Sequence, residues 1–203
     1  MSKRINSRLR MTFIGCGQCG SQVVSEIESA AGELEGDKSN IAFVGINTSV
    51  EDLSSVTLSH KIHIKGSNGA ACDRDRSTEA LAEGIDDILE ELQTYIIKDS
   101  IIYLAFSLGG GTGSATAPIL ASILLEMGYT VGMVAVLPAD TEPLKLRDNA
   151  CHAFDEIEEL KPNMASIFLL DNNAGDKLTI NRVFASLITG VLCINNKSQD
   201  GNM

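Results

Sequence analysis

The chain contains no tryptophan, only nine other aromatics (six Phe and three Tyr) and just four prolines in 203 residues. It has no apolar run of about 18 residues, which excludes an ordinary membrane-spanning helix. The first residues, Met-Ser-Lys-Arg-Ile-Asn-Ser-Arg, lack the apolar segment of a signal peptide, so the expectation is a cytoplasmic protein without membrane insertion. Positive charge is short as well: 16 Lys and Arg stand against 27 Asp and Glu, a formal net charge of −11. Direct nucleic-acid binding therefore has little electrostatic support, and a basic adaptor protein suits such a surface better. Cysteine is present without a pattern. Cys16, Cys19, Cys72, Cys151 and Cys193 are odd in number and irregularly spaced, which argues against a secreted disulfide framework. Cys16 and Cys19 form a C-x-x-C, yet the glycines around them explain that segment better than redox or metal chemistry. His60 and His63 have no companion cysteines for a metal site. No Gly-x-x-x-x-Gly-Lys-Ser/Thr string occurs, so the chain is not a Walker-type NTPase.

Glycine, by contrast, is plentiful at 18 residues, and it clusters where it carries meaning. Residues 101–128 read as a buried strand, a turn holding Gly109, Gly110, Gly111 and Gly113, and a helix from about residue 114 that tolerates Pro118 in its opening turn. Bare backbone in such a turn lets a ligand approach closely, and the helix start presents unpaired N–H groups and a positive dipole end. Phosphate is the natural occupant. A second unit of the same kind comes earlier: a strand over 9–14, then Gly15-Cys-Gly-Gln-Cys-Gly20, then a helix carrying Val23, Val24 and Ile27. Alone, this G-x-G-x-x-G suggests a dinucleotide site. A dinucleotide fold wants an acid where the second strand ends, whereas residues 41–46 run into Asn47-Thr48.

The remaining elements alternate. A strand is expected over 61–64, then a polar loop over 66–71, then a helix with Ser77 as N-cap and Leu81, Ile85, Ile88, Leu89, Leu92 and Ile96 on its inner face. The acidic face of that helix (Glu83, Asp86, Asp87, Glu90, Glu91) is read as solvated rather than metal-binding. A strand over 131–136, a helix over 144–160, a strand over 166–170 and a last helix over 178–194 complete the pattern. Alternating strands and helices predict a doubly wound, mostly parallel α/β sheet with helices on both faces and one crevice at the strands' carboxyl ends.

Ser107-Leu-Gly-Gly-Gly-Thr-Gly-Ser114 closely resembles the signature loop of the tubulin and FtsZ family. Gly17-Gln-Cys-Gly-Ser-Gln22 resembles the family's first nucleotide loop, and Asn47-Thr48 the start of its second. The resemblance spans about residues 11–194 and implies the N-terminal GTP-binding domain of a prokaryotic tubulin-like protein, of FtsZ, TubZ or archaeal type. It implies GTP or GDP with Mg²⁺ as ligands, a GTPase activated by polymer contact, and head-to-tail filaments of the full-length form. Carried over position by position, it assigns nucleotide binding to Gly17, Gln18, Cys19, Gln22 and Asn47, and the phosphates to Gly110, Gly111, Thr112, Gly113 and Ser114. Gly69, Ala70 and Ala71 stand where the family senses the γ-phosphate. Glu142 and Arg147 match the contacts to ribose and base edge, with Lys145 a competitor for the basic role, and Asn172 and Asn181 match the guanine readers. No catalytic or metal-ligating side chain is assigned. The implied organisation is a basic lead-in over 1–10 (Lys3, Arg4, Arg8, Arg10), a GTP-binding domain over 11–177, a central helix over 178–194 and a polar tail over 195–203. No Asn-x-Asp-x-x-Asp/Glu string follows the central helix, and Asp200 lies in the tail, so the second, activating domain is expected to be absent and hydrolysis slow. A nonhydrolysing interaction protein on the same fold and a dinucleotide-binding oxidoreductase stay open as alternatives.

Overall fold

The computed structural model describes residues 9–35, 37–66 and 69–200, with side chains up to 193. Six strands form one sheet in the order β3-β2-β1-β4-β5-β6, with β1 Met11–Cys16, β2 Ile41–Asn47, β3 His60–His63, β4 Ile101–Ser107, β5 Thr130–Leu137 and β6 Ile167–Asp171. Every adjacent pair is parallel. Parallel neighbours need long crossovers, and these are supplied by α1 (Gly17–Gly32), α2 (Val50–Ser55), α3 (Arg74–Tyr95), α4 (Thr112–Glu126) and α5 (Leu144–Leu160); α6 (Lys177–Asp200) follows the last strand. The strand order reverses between β1 and β4, and this places a crevice at their carboxyl ends.

Alternation along the strands divides the core. Ile14, Ile102, Leu104, Phe106 and Met133 face α3, α4 and α5, whereas Phe13, Tyr103, Ala105 and Val134 face α1 and α6. Each fully buried Ile, Leu or Phe contributes about 1.5–3 kcal/mol. The scarce aromatics are concentrated on the second face. Phe13 stacks on Phe43 and Tyr103, Tyr103 leans on Phe168, and Phe168 meets Phe184 edge-on, with centroids 5.3–6.1 Å apart. Gly132 makes this row continuous: a Cβ there would come within 2.6 Å of the Tyr103 ring.

Several local expectations are corrected. The N-cap of α3 is Asp73, whose carboxylate accepts from the N–H groups of Asp75 and Arg76 at 3.1 and 3.4 Å. Ser77 lies buried one turn further on, because Asp caps as well as Ser and Arg74-Asp75-Arg76 can extend the helix upstream. The short α2 was not anticipated; Ser49 caps it by accepting from Asp52 N–H at 3.1 Å. Helix α4 begins two residues early, which puts Pro118 in its second turn rather than its first. Ten of its fifteen residues are buried, and that packing outweighs the hydrogen bond that proline omits. The expected polar tail is helical as far as Asp200, since 195–200 contain no Gly or Pro to stop α6. Side chains from 194 onward, Asp200 among them, and residues 201–203 lie outside the described part. So do Lys3, Arg4 and Arg8 of the lead-in, whereas Arg10 is fastened to the Lys98 carbonyl at 3.0 Å.

Candidate functional site

A cavity of about 380 Å³ opens at the carboxyl ends of the strands, where the order reverses. Cys16, Gly17, Gln18, Cys19 and Gln22 line it from the β1–α1 unit, Asn47 and Asp52 from β2–α2, and Ala70, Ala71 and Cys72 from the loop before α3. Ser107, Gly110, Gly111, Thr112 and Gly113 come from β4–α4, Pro138, Glu142 and Leu146 from β5–α5, and Asn172, Lys177 and Asn181 from the end of β6 and the start of α6.

The two glycine loops lie back to back. A Cβ on Gly113 would stand 2.5 Å from the Cys16 carbonyl, and one on Gly17, whose φ is +71°, would stand 2.8 Å from Gly113 N. Any side chain at either position would force the loops apart. Their closeness brings the first turns of α1 and α4 to the same wall. Neither helix has a side-chain cap, in contrast to α2 and α3, which Ser49 and Asp73 cap. Two uncapped helix starts at one cavity form an anion site by orientation of backbone alone. Thr112 of the second glycine loop and Thr48, just past the end of β2, pair their hydroxyls at 2.8 Å, and Thr48 O also accepts from Gly69 N–H at 3.2 Å.

The other end of the cavity is built from side chains. Lys177 donates to Glu142 at 2.8 Å, and this hydrogen bond holds the Lys177 ammonium protonated above its usual range. Lys177 is the one cation among the described lining residues, so the dipoles supply much of any anion's stabilisation. Asn181 is 7% exposed, and among the described residues nothing hydrogen-bonds its side chain. A buried amide in that state presents a donor and an acceptor to a ligand edge. Burial pushes the Cys16 thiol up to about 12, a hydrogen bond with Thr116 opposing it. Burial likewise raises Cys19 to about 11, Lys177 opposing, although Cys19 keeps some exposure at the cavity wall. Both thiols stay protonated near neutral pH, which disfavours thiolate chemistry at the C-x-x-C.

Of the residues singled out from the sequence, Gly17, Gln18, Cys19, Gln22, Asn47, Ala70, Ala71, Gly110, Gly111, Thr112, Gly113, Glu142, Asn172 and Asn181 line the cavity. Ser114, Gly69 and Arg147 do not. Ser114 is buried in α4 with its hydroxyl donated back to Gly110 O, and Gly69 is spent on the Thr48 contact. Arg147 is exposed because the helical turn from Glu142 brings Leu146 inward instead; Lys145 is exposed too. The cation at this end is Lys177, which no strand–loop pattern marked. Asp52 was missed for a similar reason: the sequence showed Asn47 where β2 ends, but the unforeseen α2 turns a carboxylate five residues later to within 3.2 Å of the Asn47 amide. Among the described residues no group of three or more His, Cys, Asp or Glu side chains could hold a metal ion, and no helix is long and apolar enough to cross a membrane.

Comparison with known proteins agrees with this geometry. Residues 10–178 match the family described as the tubulin/FtsZ family, GTPase domain. The tubulin-like protein TubZ of Bacillus cereus is 27% identical over 173 residues, which cover 82% of this chain and 40% of that protein. The structure of CetZ from Methanosaeta thermophila superposes with a TM-score of 0.77 at 25% identity, covering 91% of this chain and 54% of that one. CetZ2 from Haloferax volcanii has the same TM-score of 0.77 at 22% identity, covering 91% and 58%, a likeness of fold alone. The chain thus spans about half the length of the relatives it matches.

Proposed function

The chain belongs to the tubulin/FtsZ family, and from that premise we propose that it is the GTP-binding, GTP-hydrolysing part of a filament-forming protein. The observation that carries this reading is the pair of uncapped helix starts, α1 and α4, meeting at one cavity across glycines that tolerate no Cβ. Backbone N–H groups of the two glycine loops would hold the phosphates, and the Thr48–Thr112 pair ties the second of them to the end of β2. Asn181 and Asn172 would read the guanine edge, and Glu142, oriented by Lys177, would face the ribose. Ala70 and Ala71 would lie toward the terminal phosphate. The CetZ2 structure from Haloferax volcanii is that of a GTPγS-bound protofilament. Filament assembly is proposed for the present protein from its membership of the family.

The residues fit Mg²⁺ in one way. Magnesium usually binds through one or two carboxylates plus the substrate's phosphate oxygens, so a complete protein cage is not needed. Asp52 is the carboxylate at the cavity beside the β2 loop, and Asn47 would keep it in place. The ion would offset phosphate charge and polarise the bond that breaks. Within this domain the residues bind and orient; the acid that positions the attacking water would come from a neighbouring subunit. The experiment is to purify the protein, denature it and chromatograph the released ligand. Guanine nucleotide is expected, whereas a nicotinamide or flavin dinucleotide would reassign the cavity to an oxidoreductase.

A further inference from the structure

Asn149 stands in the second turn of α5 and is only 3% exposed. Its amide nitrogen reaches three carbonyl oxygens: Cys72 at 2.9 Å, Gly109 at 3.1 Å and Gly110 at 3.4 Å. A primary amide has two N–H donors, so one serves Cys72 and the adjacent glycine oxygens share the other. The orientation of the side chain is fixed by chemistry, because the flipped amide would set its oxygen against three others.

Two consequences follow from peptide geometry. A trans peptide is planar, and its C=O and the next residue's N–H point in opposite directions. Drawing the Gly109 and Gly110 carbonyls toward α5 therefore turns the N–H groups of Gly110 and Gly111, both lining residues, away from α5. The third bond secures the loop before α3, where Ala71 (φ 48°) and Cys72 (φ 62°) are both left-handed, a conformation that side chains with a Cβ resist. That turn is closed by Asp73 N–H to Ala70 O at 2.8 Å. The two loops also touch directly, since a Cβ on Gly111 would lie 2.8–2.9 Å from Asp73 N, Ala70 Cβ and Cys72 C. Asn149 itself is anchored: Arg74 donates to its carbonyl at 3.3 Å and forks onto Glu156 at 2.6 and 2.7 Å.

The geometry points to Asn149 as a positioning residue that orients the amides of the glycine signature loop and locks that loop to residues 70–73. The two loops then move together, and whatever terminal phosphate one of them meets is felt by the other. This rests on the nucleotide reading above, so its test has an arm that needs no nucleotide. In the ligand-free chain, Asn149→Ala is expected to speed backbone hydrogen exchange in both 70–73 and 107–113 by about tenfold or more, leaving 102–105 unchanged. Asn149→Ser, which keeps one hydroxyl donor, shifts both by less. In titrations, Asn149→Ala is expected to weaken GTP by about tenfold or more and GDP by less, with guanine still preferred over adenine. A role confined to packing would lower GTP and GDP by one common factor; that result, or faster exchange in only one of the two loops, overturns the proposal. Should Asn149→Ala fail to melt cooperatively, the Asn149→Ser values decide by the same criteria. If the unsubstituted chain takes no guanine nucleotide, the exchange arm decides alone: joint loosening keeps the lock while the nucleotide reading falls, and separate loosening removes both.

Discussion

Gly111 and Gly110 are neighbours in the signature loop, but they have different surroundings, and a pair of single-methyl substitutions separates fold from ligand. At Gly111 the backbone is right-handed helical (φ −80°, ψ −62°), so alanine meets no dihedral penalty. The added carbon would instead stand 2.8 Å from Asp73 N and 2.9 Å from both Ala70 Cβ and Cys72 C. Two of those atoms are backbone and cannot swing away, so the loop before α3 must retreat. Overpacking of this kind costs about 1–3 kcal/mol. If the retreat removes the loop from its binding position, that cost appears as a loss in affinity of roughly 5- to 150-fold, at 1.4 kcal/mol per tenfold. At Gly110 the nearest atoms to a new Cβ are 3.9 Å away, both on Ser107. Gly110→Ala should therefore leave the melting temperature unchanged and weaken nucleotide binding only through the ligand itself. The assay is titration of GTP and GDP into each variant beside its thermal melt. GTP binding to Gly111→Ala within about threefold of the parent, less than roughly 0.7 kcal/mol, would refute the reasoning, because a loop so constrained could then shift at no cost.

Asn181→Asp is expected to keep much of the GTP affinity and the preference for guanine, since a carboxylate accepts from both N–H donors of the guanine edge, whereas Asn181→Ala is expected to relax the choice of guanine over adenine, the lost pairing costing on the order of 1–3 kcal/mol; competition between GTP and ATP reads both, and unchanged selectivity in Asn181→Ala contradicts the assignment. The two raised thiols give a pH dependence. Folded Cys16 holds its proton to about 12 against an ordinary 9.0, so stability is fully present below about pH 9 and is lost as pH rises toward 12. Melting temperatures from pH 8 to pH 10.5 should therefore fall more steeply for the parent than for Cys16→Ala, and parallel slopes would count against the buried thiol. Phosphate release per chain should rise with protein concentration where sedimentation shows filaments and stay slow and flat where it does not; a flat rate in the presence of filaments contradicts activation between subunits.

The parts legible in the sequence were those determined locally. Residues 144–160 form the expected helix with its bounds unchanged, because Pro143 precedes it and Lys161-Pro162 begins the short 3₁₀ turn that ends it. Strand cores were readable from apolar runs, but their ends depend on ladder partners: β1 extends to Cys16 because Ile46 of β2 pairs with it. The glycine loops announced the cavity, and the strand order explains why they share it. Long-range features stayed hidden. Asp52 depends on a six-residue helix with little periodicity, and Lys177 matters only because Glu142, 35 residues earlier, lies within reach. Asn149 had no local signal at all, since its partners are 40 and 77 residues away. Arg147 was misplaced by one helical position, and Leu146 took the inward direction.

The central claim is that two uncapped helix starts and a glycine cradle make this cavity a guanine nucleotide site. Calorimetric titration of nucleotide-stripped protein with GTP, ATP and NAD in the presence of Mg²⁺ tests it most directly. The account predicts saturable one-to-one binding of GTP, at least about tenfold tighter than ATP, which corresponds to roughly 1.4 kcal/mol, and no binding of NAD. Equal affinity for GTP and ATP, or binding of NAD alone, would contradict it.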